Sequence, residues 1–332
     1  MSAPSEAVRL AILRGVLRPA ADLLPRSGGM RLADLTGDLL AQTPHGTAVR
    51  RDFARMFAGL AGERLARGWL ARPFRDFVML RRFLVGREEL AQWRIEQRMP
   101  PPTSVLIRSG APLVLATGHF AREAALALYA RALPPSVHVS ALVAPLPPAS
   151  PRSLARARHR LLYGQMLRAC TASRTAIDLV YTHDRRALAT VLRRLAQHEQ
   201  AVVLAADATD WSDLVRPFAG ERARGFAIGC ARLARLAGCP LVVCVPYVDA
   251  GGAIVLEWSA PLGPPPLRDR GADRELTSLV LDRLEEAVGE RPDQYVLPIG
   301  RSRRWNPESR RWEPAGGRGD GVRAPGRPAT TR

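Results

Sequence analysis

The chain of 332 residues is long enough for one large α/β domain or two smaller ones. Its 47% apolar content allows a sizeable core and excludes wholesale disorder. The formal charge of +18 comes entirely from arginine, since the chain has no lysine, and it favours contact with polyanions such as lipid headgroups, acidic proteins, coenzyme phosphates or nucleic acid.

Cysteine usage and the lengths of apolar runs exclude further classes. The four cysteines, at positions 170, 230, 239 and 244, form no C-x-x-C pair, so we expect neither a zinc site nor a disulfide framework. The N-terminus lacks the residue order and the cleavage site of a signal peptide. No apolar run approaches the roughly 18 to 20 residues that cross a bilayer. The sequence therefore predicts a cytoplasmic protein without a transmembrane span, either soluble or lying on a membrane surface.

Two arginine-rich amphipathic segments lie near the N-terminus. Residues 7–24 place leucines at helical spacing with arginines between them. Residues 69–86 combine phenylalanines and other apolar residues with arginines. Basic amphipathic helices with aromatic residues can lie in a bilayer interface, but the same pattern also describes a helical layer packed on a core. We therefore predict a helical N-terminal region over residues 1–100, with both interpretations open.

From residue 105 the pattern changes to strands that alternate with helices. The strands are apolar runs at residues 113–117, 137–144, 176–181, 201–207, 240–248 and 253–258. The helices are predicted at residues 122–133, 152–169, 184–198, 225–237 and 273–288. This alternation predicts an α/β fold with a mostly parallel central sheet flanked by helices, preceded by the helical N-terminal layer. We expect the α/β core over residues 101–312 and a disordered tail over residues 313–332.

The segment LVLATGHFAREAALAL, residues 113–128, places a histidine at the end of a buried strand. Active-site residues of open α/β sheets collect at the carboxyl ends of strands, where His119 falls. Glu123 follows four positions later, so the two side chains are neighbours if a helix has begun by residue 119. A carboxylate beside one imidazole nitrogen fixes the tautomer and raises the basicity of the other nitrogen. Such a histidine can take the proton from a hydroxyl that attacks a thioester.

A second polar cluster follows another apolar strand. Asp207 ends that strand, so the sheet can bring Asp207 and His119 together at one edge. The residues after it include three arginines that are suited to bind phosphate or the acidic groups of a carrier protein, namely Arg216, Arg222 and Arg224. A strand, a solvated loop and a helix without a binding role is the alternative interpretation.

Four blocks of sequence occur in an order that is typical of one enzyme family. They are LIRSGAPLVLATGHF, the arginine-rich RARHRLLYGQML, residues 203–247 with their Asp, Phe-x-Gly and glycine-containing helix, and RPDQYVLPIGRSRRW. Together they span roughly residues 45–310 and resemble the lipid A biosynthesis (lauroyl/myristoyl) acyltransferase family. That family belongs to the lysophospholipid acyltransferase-like superfamily and includes the phosphatidylinositol mannoside acyltransferases.

The resemblance implies roles for individual residues. His119 is the general base, and Asp207 matches the family's Asp after the strand. The family's carboxylate comes five positions after the histidine, in a Gly-Asn-Trp-Glu/Asp context, whereas Glu123 comes one place earlier here. Either Glu123 serves from a tighter helical start, or Asp207 orients the histidine, or the site is degraded. Substrate binding is implied for Phe120 and for the arginine-rich helix, with Arg156, Arg158 and Arg160 as the candidates.

The residues and the resemblance together predict an acyltransferase. The donor is a fatty acyl thioester of coenzyme A or acyl carrier protein. The acceptor is a hydroxyl of a glycolipid or related lipid at the cytoplasmic face of the cell membrane. No metal or bound redox cofactor is implied. A catalytically degraded lipid-binding protein on the same fold is the first alternative.

Other classes fit the sequence less well. Nucleic-acid binding is suggested only by charge, because the arginines are scattered through amphipathic helices and the aromatic content is 6%. We therefore expect no specific nucleic-acid partner. An α/β hydrolase would carry a G-x-S-x-G elbow, and a dinucleotide-binding enzyme would carry G-x-G-x-x-G after its first strand. The sequence has neither motif at the expected place.

Overall fold

A computed structural model of the chain describes an N-terminal layer of helices, a central sheet flanked by helices, and small hairpins. This architecture confirms the predicted α/β fold with a mostly parallel central sheet. The structure describes residues 11–57, 62–87, 93–120, 132–134, 136–143, 177–182, 184–196, 200–208, 212–249, 252–269, 271–295, 297 and 299–315.

Four helices and a π-helical turn make up the described part of the N-terminal layer. The turn covers Leu13–Leu17 and runs into α1 (Arg18–Leu23), which is followed by α2 (Arg26–Ala41), α3 (Pro44–Met56) and α4 (Gly62–Leu84). Proline in the first turn favours the starts of α1 and α3, because a main-chain N–H at that place would have no partner within the helix and its absence costs nothing. Thr43 caps α3 by accepting a hydrogen bond from the Gly46 N–H at 3.1 Å. α1, α2 and α3 all pack against α4.

The long helix α4 contains most of residues 69–86, for which the sequence left membrane binding and packing on the core as alternatives. Its apolar residues, including Phe74, Phe77 and Val78, are buried. Arg81 forms two hydrogen bonds with Asp22 of α1, at 2.7 and 2.8 Å. The amphipathic pattern of residues 69–86 therefore describes a helix packed in the layer, and its arginines join that helix to its neighbours.

The central sheet has seven described strands. They are β1 (Ile95–Arg98), β2 (Leu113–Thr117), β3 (His138–Val143), β4 (Ile177–Tyr181), β5 (Gln200–Ala205), β8 (Leu241–Val248) and β9 (Ile254–Trp258), in the spatial order β1-β9-β8-β2-β5-β3-β4. Neighbouring strands are parallel except for β8 and β9. β2 and β5 are therefore adjacent at the centre of the sheet, with their carboxyl ends at the same edge.

Burial on both faces of the sheet explains the apolar runs of the central strands. All five residues of β2 are buried. Val114 and Ala116 belong to one core cluster, while Leu113 and Leu115 belong to the cluster on the other face. The helices that flank the sheet are α5 (Pro101–Arg108), α6 (Arg185–Ala196), α7 (Gly229–Ala237) and α8 (Ala272–Glu290).

Residues 208–237 differ from the prediction. We expected a polar loop followed by a helix from residue 225, but the chain forms an antiparallel hairpin of β6 (Leu214–Phe218) and β7 (Glu221–Phe226). The helix α7 begins only at Gly229. The hairpin turns at Ala219 and Gly220, which have φ angles of 43° and 85°. A second hairpin, of β10 (Arg303–Asn306) and β11 (Arg311–Pro314), also had no counterpart in the prediction.

Some predicted elements lie outside the described residues. These are nearly all of the helix at 122–133, the helix at 152–169 and residues 316–332 of the predicted tail. β11 extends to Pro314, so the hairpin occupies the beginning of the segment that we expected to be disordered.

Candidate active site

The end of β2 places a histidine at the carboxyl edge of the sheet. The strand ends at Thr117, and the chain turns through Gly118 to His119. A Cβ atom at position 118 would lie 3.0 Å from the Phe120 ring and 3.2 Å from Asp207 Oδ2. These contacts are tighter than ordinary packing allows, so glycine lets the turn approach the Asp207 carboxylate closely.

His119 and Asp207 form a hydrogen-bonded pair, the dyad. His119 Nδ1 lies 2.6 Å from Asp207 Oδ1, and the His119 main-chain N–H donates to Asp207 Oδ2 at 2.9 Å. Because a carboxylate only accepts hydrogen bonds, Nδ1 carries the hydrogen of the neutral ring and Nε2 keeps the lone pair. Asp207 is fully buried, whereas 23% of the His119 side chain is exposed. The dyad therefore joins a buried carboxylate to an imidazole that solvent reaches.

Burial and hydrogen bonding act in opposite directions on Asp207. Burial raises the pKa of this carboxyl, but the charge and the two hydrogen bonds of His119, with a smaller effect of Tyr295, bring the pKa below its ordinary value. Asp207 is therefore ionised at neutral pH. An ionised carboxylate at this place orients the imidazole and stabilises the imidazolium that forms when Nε2 takes up a proton.

Aromatic residues form the inner wall beside the dyad. Phe120 is fully buried, forms a β-bridge with Tyr295, and lies with its ring centroid 5.2 Å from the Tyr295 ring. The Phe218 ring is 6.5 Å from the Tyr295 ring. The indole N–H of Trp69 on α4 donates to the Tyr295 carbonyl at 2.8 Å. Phe120 therefore supports the site from within the core.

No sequence pattern predicts a functional role for Tyr295 or Trp69. Tyr295 lies in RPDQYVLPIGRSRRW, a block of the family resemblance, and that block is the signal that could have drawn attention to it. Trp69 belongs to a helix that the sequence associated with membrane binding or packing, and nothing local connects it with residue 295.

The three predicted arginines of the hairpin have different surroundings. Arg224 on β7 is partly buried, and its guanidinium carbon lies 5.6 Å from the centroid of the Phe218 ring. Its charge acts to lower the pKa of the Tyr295 hydroxyl. Arg222 lies exposed on the same strand. Of these two, Arg224 is the one whose contacts reach the aromatic residues beside the dyad.

Arg216 belongs to an ion-pair network on α8. Its guanidinium lies 3.3 Å from the Glu285 carboxylate, pairs with Asp282, and donates to the Ser278 carbonyl at 2.9 Å. Arg303 pairs with the same Glu285 at 2.7 Å. These side chains line a cleft of about 700 Å³ whose lining does not include His119 or Asp207. The contacts of Arg216 give it a structural role in joining the hairpin to α8.

The other candidates for the site lie outside the described residues. They are Glu123, the alternative partner for the histidine, and the arginines of the predicted Arg-rich helix, Arg156, Arg158 and Arg160. Their roles stay predictions. Of the two carboxylates proposed to orient His119, the described part of the site contains Asp207.

Within the described residues, neither the buried thiols nor the possible metal ligands form a second reactive site. Burial raises the pKa of Cys230 and of Cys239 to about 11, so both thiols are protonated at neutral pH. No group of three or more His, Cys, Asp or Glu side chains is placed there to hold a metal ion. Among the helices that the structure describes, none is both long and apolar enough to cross a membrane.

Comparisons with known proteins find only distant similarity to solved structures. No model of a protein family matches the sequence. No curated protein sequence matches it either. Among solved structures, the chain is similar to the crystal structure of the 1-acyl-sn-glycerophosphate (LPA) acyltransferase PlsC from Thermotoga maritima, with a TM-score of 0.35 and 15% sequence identity. The alignment covers 80% of this chain and 98% of that one.

Proposed function

We propose that the protein is an acyltransferase that moves a fatty acyl group from a thioester to a lipid hydroxyl. The donor is acyl-CoA or an acyl carrier protein, and the acceptor is a glycolipid or related lipid. The observation that supports the proposal is the dyad, in which His119 Nδ1 lies 2.6 Å from the buried Asp207 at the carboxyl edge of β2 and β5. This is the edge at which α/β enzymes bind their substrates.

The geometry of the dyad fits a general-base mechanism. With Nδ1 bonded to Asp207, His119 Nε2 takes the proton of the acceptor hydroxyl while the hydroxyl oxygen attacks the thioester carbon. The carbon–sulfur bond then breaks, and the imidazolium returns the proton to the departing sulfur. Asp207 stays ionised throughout and stabilises the imidazolium. No metal or redox group takes part in this mechanism.

Arg224 is the described cation that we assign to the substrates. It lies against the Phe218 ring and interacts with Tyr295, whose hydroxyl also interacts with Asp207. A guanidinium there stabilises the negative oxygen of the tetrahedral intermediate or binds a phosphate of the donor or acceptor. Main-chain N–H groups near the dyad add to this stabilisation in the proposed mechanism. Glu123 and the arginine candidates Arg156, Arg158, Arg160 and Arg222 are secondary elements of the same proposal.

We also propose that the protein binds the cytoplasmic face of the membrane peripherally through its N-terminal helices. Leu23 at the end of α1 is 72% exposed, and Leu35 and Leu39 of α2 are 57% and 64% exposed. Arg31, Leu35 and Leu39 follow one another at intervals of four residues, so they share one stripe of the α2 surface. Exposed leucines beside arginines suit an anionic bilayer surface, which binds the apolar and the charged groups together.

Thioester turnover tests the acyltransferase. Wild-type protein and His119→Ala would be mixed with acyl-CoAs and acyl carrier proteins in the presence of vesicles that contain a pool of lipid acceptors. Free thiol and acylated lipid would be measured together. We expect coupled thiol release and lipid acylation, with a rate at least about 100-fold lower for His119→Ala because the general base is lost.

A matched control comes from the opposite edge of the sheet. His138 also bonds an aspartate, Asp178, at 2.8 Å, but on an exposed surface. His138→Ala should therefore keep the wild-type rate within about twofold. Equal rates for His119→Ala and the wild type would contradict the proposal. Binding of acyl donors by a wild-type protein that turns over none of them would instead favour the degraded, lipid-binding alternative.

A further inference from the structure

The short segment that carries Tyr295 is held by contacts with several elements. Gln294 accepts a hydrogen bond from the Val248 N–H at 2.7 Å and donates one to the Val248 carbonyl at 2.8 Å. The next residue, Tyr295, forms the bridge to Phe120 and accepts the hydrogen bond from Trp69. β8, the turn after β2 and α4 therefore all fix the backbone from which the tyrosine side chain extends.

The hydroxyl of Tyr295 is buried beside charged groups. The residue is 1% exposed, and its hydroxyl makes no hydrogen bond of normal geometry within the described chain. Burial and the charge of Asp207 raise the pKa of Tyr295 well above its ordinary value, while Arg224 acts in the opposite direction. The hydroxyl is therefore protonated at neutral pH and able to donate. A buried donor without a partner is unfavourable, so a small movement that brings it onto an acceptor is favoured.

The Asp207 carboxylate can accept more hydrogen bonds than the two that His119 donates. Each of its oxygens already accepts one hydrogen bond from His119, and an ionised carboxylate has about four acceptor sites. It is fully buried, so solvent does not fill the remaining sites. Hydrogen bonds of catalytic groups are often long before substrate binds and tighten afterwards. A hydrogen bond from the Tyr295 hydroxyl to the Asp207 carboxylate would give the buried donor a partner and fill one of the remaining acceptor sites.

We propose that Tyr295 is a positioning residue of the dyad, and that its hydroxyl donates to the Asp207 carboxylate and sets the pH at which the dyad takes up a proton. A role of Tyr295 in catalysis rests on the acyltransferase function proposed above. A donor on Asp207 stabilises the carboxylate, so the dyad as a whole takes up a proton at lower pH than it would without that donor, whichever atom receives the proton. The charged groups that act on Tyr295 are Asp207 from the end of β5 and Arg224 from β7, and Asp207 in turn bonds His119.

Ring packing alone is the other role that the structure offers for Tyr295. The rings of Phe120 and Phe218 lie around it, and a phenylalanine at position 295 would keep both contacts. Tyr295→Phe therefore removes the hydroxyl and leaves the packing, which makes it the variant that separates the two roles.

The first test measures protonation of the dyad without any substrate. Protein with carbon-13 in its histidine rings would be titrated by NMR, with His119→Ala used to assign the His119 signal. We expect the His119 signal of Tyr295→Phe to titrate at a pH roughly one unit higher than in the wild type. Tyr247→Phe is the matched control, because the Tyr247 hydroxyl bonds Arg98 at 2.9 Å, away from the dyad. An identical titration of the wild type and Tyr295→Phe would overturn the proposal.

Fluorination gives a second test that preserves the shape of the residue. Growth on 3-fluorotyrosine makes every tyrosine hydroxyl a stronger donor, so we expect the His119 signal to titrate at lower pH than in the unlabelled protein. The shift should be absent when position 295 is phenylalanine. A shift that persists in Tyr295→Phe would contradict the assignment to Tyr295. If Tyr295→Phe proves too unstable to titrate, the fluorinated wild type still tests the proposal, because an unshifted His119 signal would overturn it.

The pH profile of turnover connects the inference to catalysis. In Tyr295→Phe the acidic limb of kcat should move to higher pH with KM nearly unchanged. An acidic limb that stays at the wild-type pH in Tyr295→Phe would overturn the proposal, whatever the value of kcat. If the wild type turns over no thioester, the proposed function fails, whereas the NMR titrations still decide whether Tyr295 controls the dyad.

Discussion

The described residues contain His–Asp pairs at opposite edges of the central sheet. His119 and Asp207 meet at the carboxyl ends of β2 and β5, with 2.6 Å between Nδ1 and Oδ1. His138 and Asp178 meet near the amino ends of β3 and β4, with 2.8 Å between Nε2 and Oδ2. The residue types and the distances are nearly the same.

The surroundings of the two carboxylates differ. Asp207 is fully buried, whereas 52% of the Asp178 side chain is exposed. Arg194 lies 3.1 Å from the Asp178 carboxylate, so a permanent cation shares it with the histidine. Burial raises the pKa of Asp178, but His138 and Arg194 together lower it below its ordinary value, and water screens these interactions. Burial of the carboxylate and its place at the carboxyl edge of the sheet therefore distinguish the pair to which we assign a catalytic role from the exposed pair.

The sharpest test of this comparison removes the charge from each aspartate in turn. We expect Asp207→Asn to lower kcat by roughly 100- to 10,000-fold, because the amide no longer fixes the His119 tautomer or stabilises the imidazolium. Asp178→Asn should change kcat by less than about twofold, since its partner is away from the substrate edge. Initial rates of thiol release at saturating donor would measure both effects. Similar losses in the two variants would remove the distinction between the pairs.

The same variants should differ in stability and in how pH changes it. Asp207→Asn should lose about 2 kcal/mol of unfolding free energy at pH 7, the typical strength of a buried hydrogen bond to a charged group. Because the folded-state pKa of Asp207 lies below its ordinary value of 3.8, the stabilisation is present above that value and is lost as the pH falls through the folded pKa. The gap between the wild type and Asp207→Asn should therefore close in acid.

The exposed pair supplies the control for this stability measurement. Asp178→Asn should cost no more than about 0.5 kcal/mol, and about 0.5 M salt should remove most of that cost through screening. Urea unfolding of the wild type and both variants at neutral and acidic pH, with and without salt, would measure these differences in stability. A gap for Asp207→Asn that is independent of pH would mean that its loss comes from packing and not from the charge.

The smallest expected effect tests the spacing inside the buried pair. Gly118→Ala places a methyl group 3.2 Å from Asp207 Oδ2 and 3.0 Å from the Phe120 ring, so these groups must shift by a few tenths of an ångström. We expect kcat to fall about tenfold, because catalysis is sensitive to small displacements of the reacting groups. Gly263→Ala is the control, since no atom lies within 4 Å of its added methyl. Wild-type activity in Gly118→Ala would show that the dyad tolerates displacement.

The central strands were the most predictable part of the molecule. β2 covers the predicted residues 113–117, and β8 begins one residue after its predicted start. Strands that are buried on both faces carry continuous apolar runs, which the sequence displays directly. The hairpin of β6 and β7 was missed because most of its residues are polar or only partly buried, and its turn depends on positive φ angles at Ala219 and Gly220.

The candidate site was predictable only where it depends on the strands. His119 and Asp207 follow the carboxyl ends of adjacent parallel strands, so their proximity could be expected from the alternating pattern. Tyr295 follows α8 and reaches the site through a single bridge to Phe120. Neither periodicity nor a strand end marks such a contact, because it depends on how the whole core packs.

The hydrogen bond from Trp69 to the Tyr295 carbonyl has a consequence for how the protein is made. Its partners are separated by 226 residues, and those of the dyad by 88. During synthesis the N-terminal helices and the first strands leave the ribosome long before position 295 does. His119 and Asp207 are therefore both synthesised before the tyrosine, and the contact between Trp69 and Tyr295 can form only after residue 295 has been made. Chains that stop before residue 295 lack this closing contact, so the complete site exists only in chains synthesised past it.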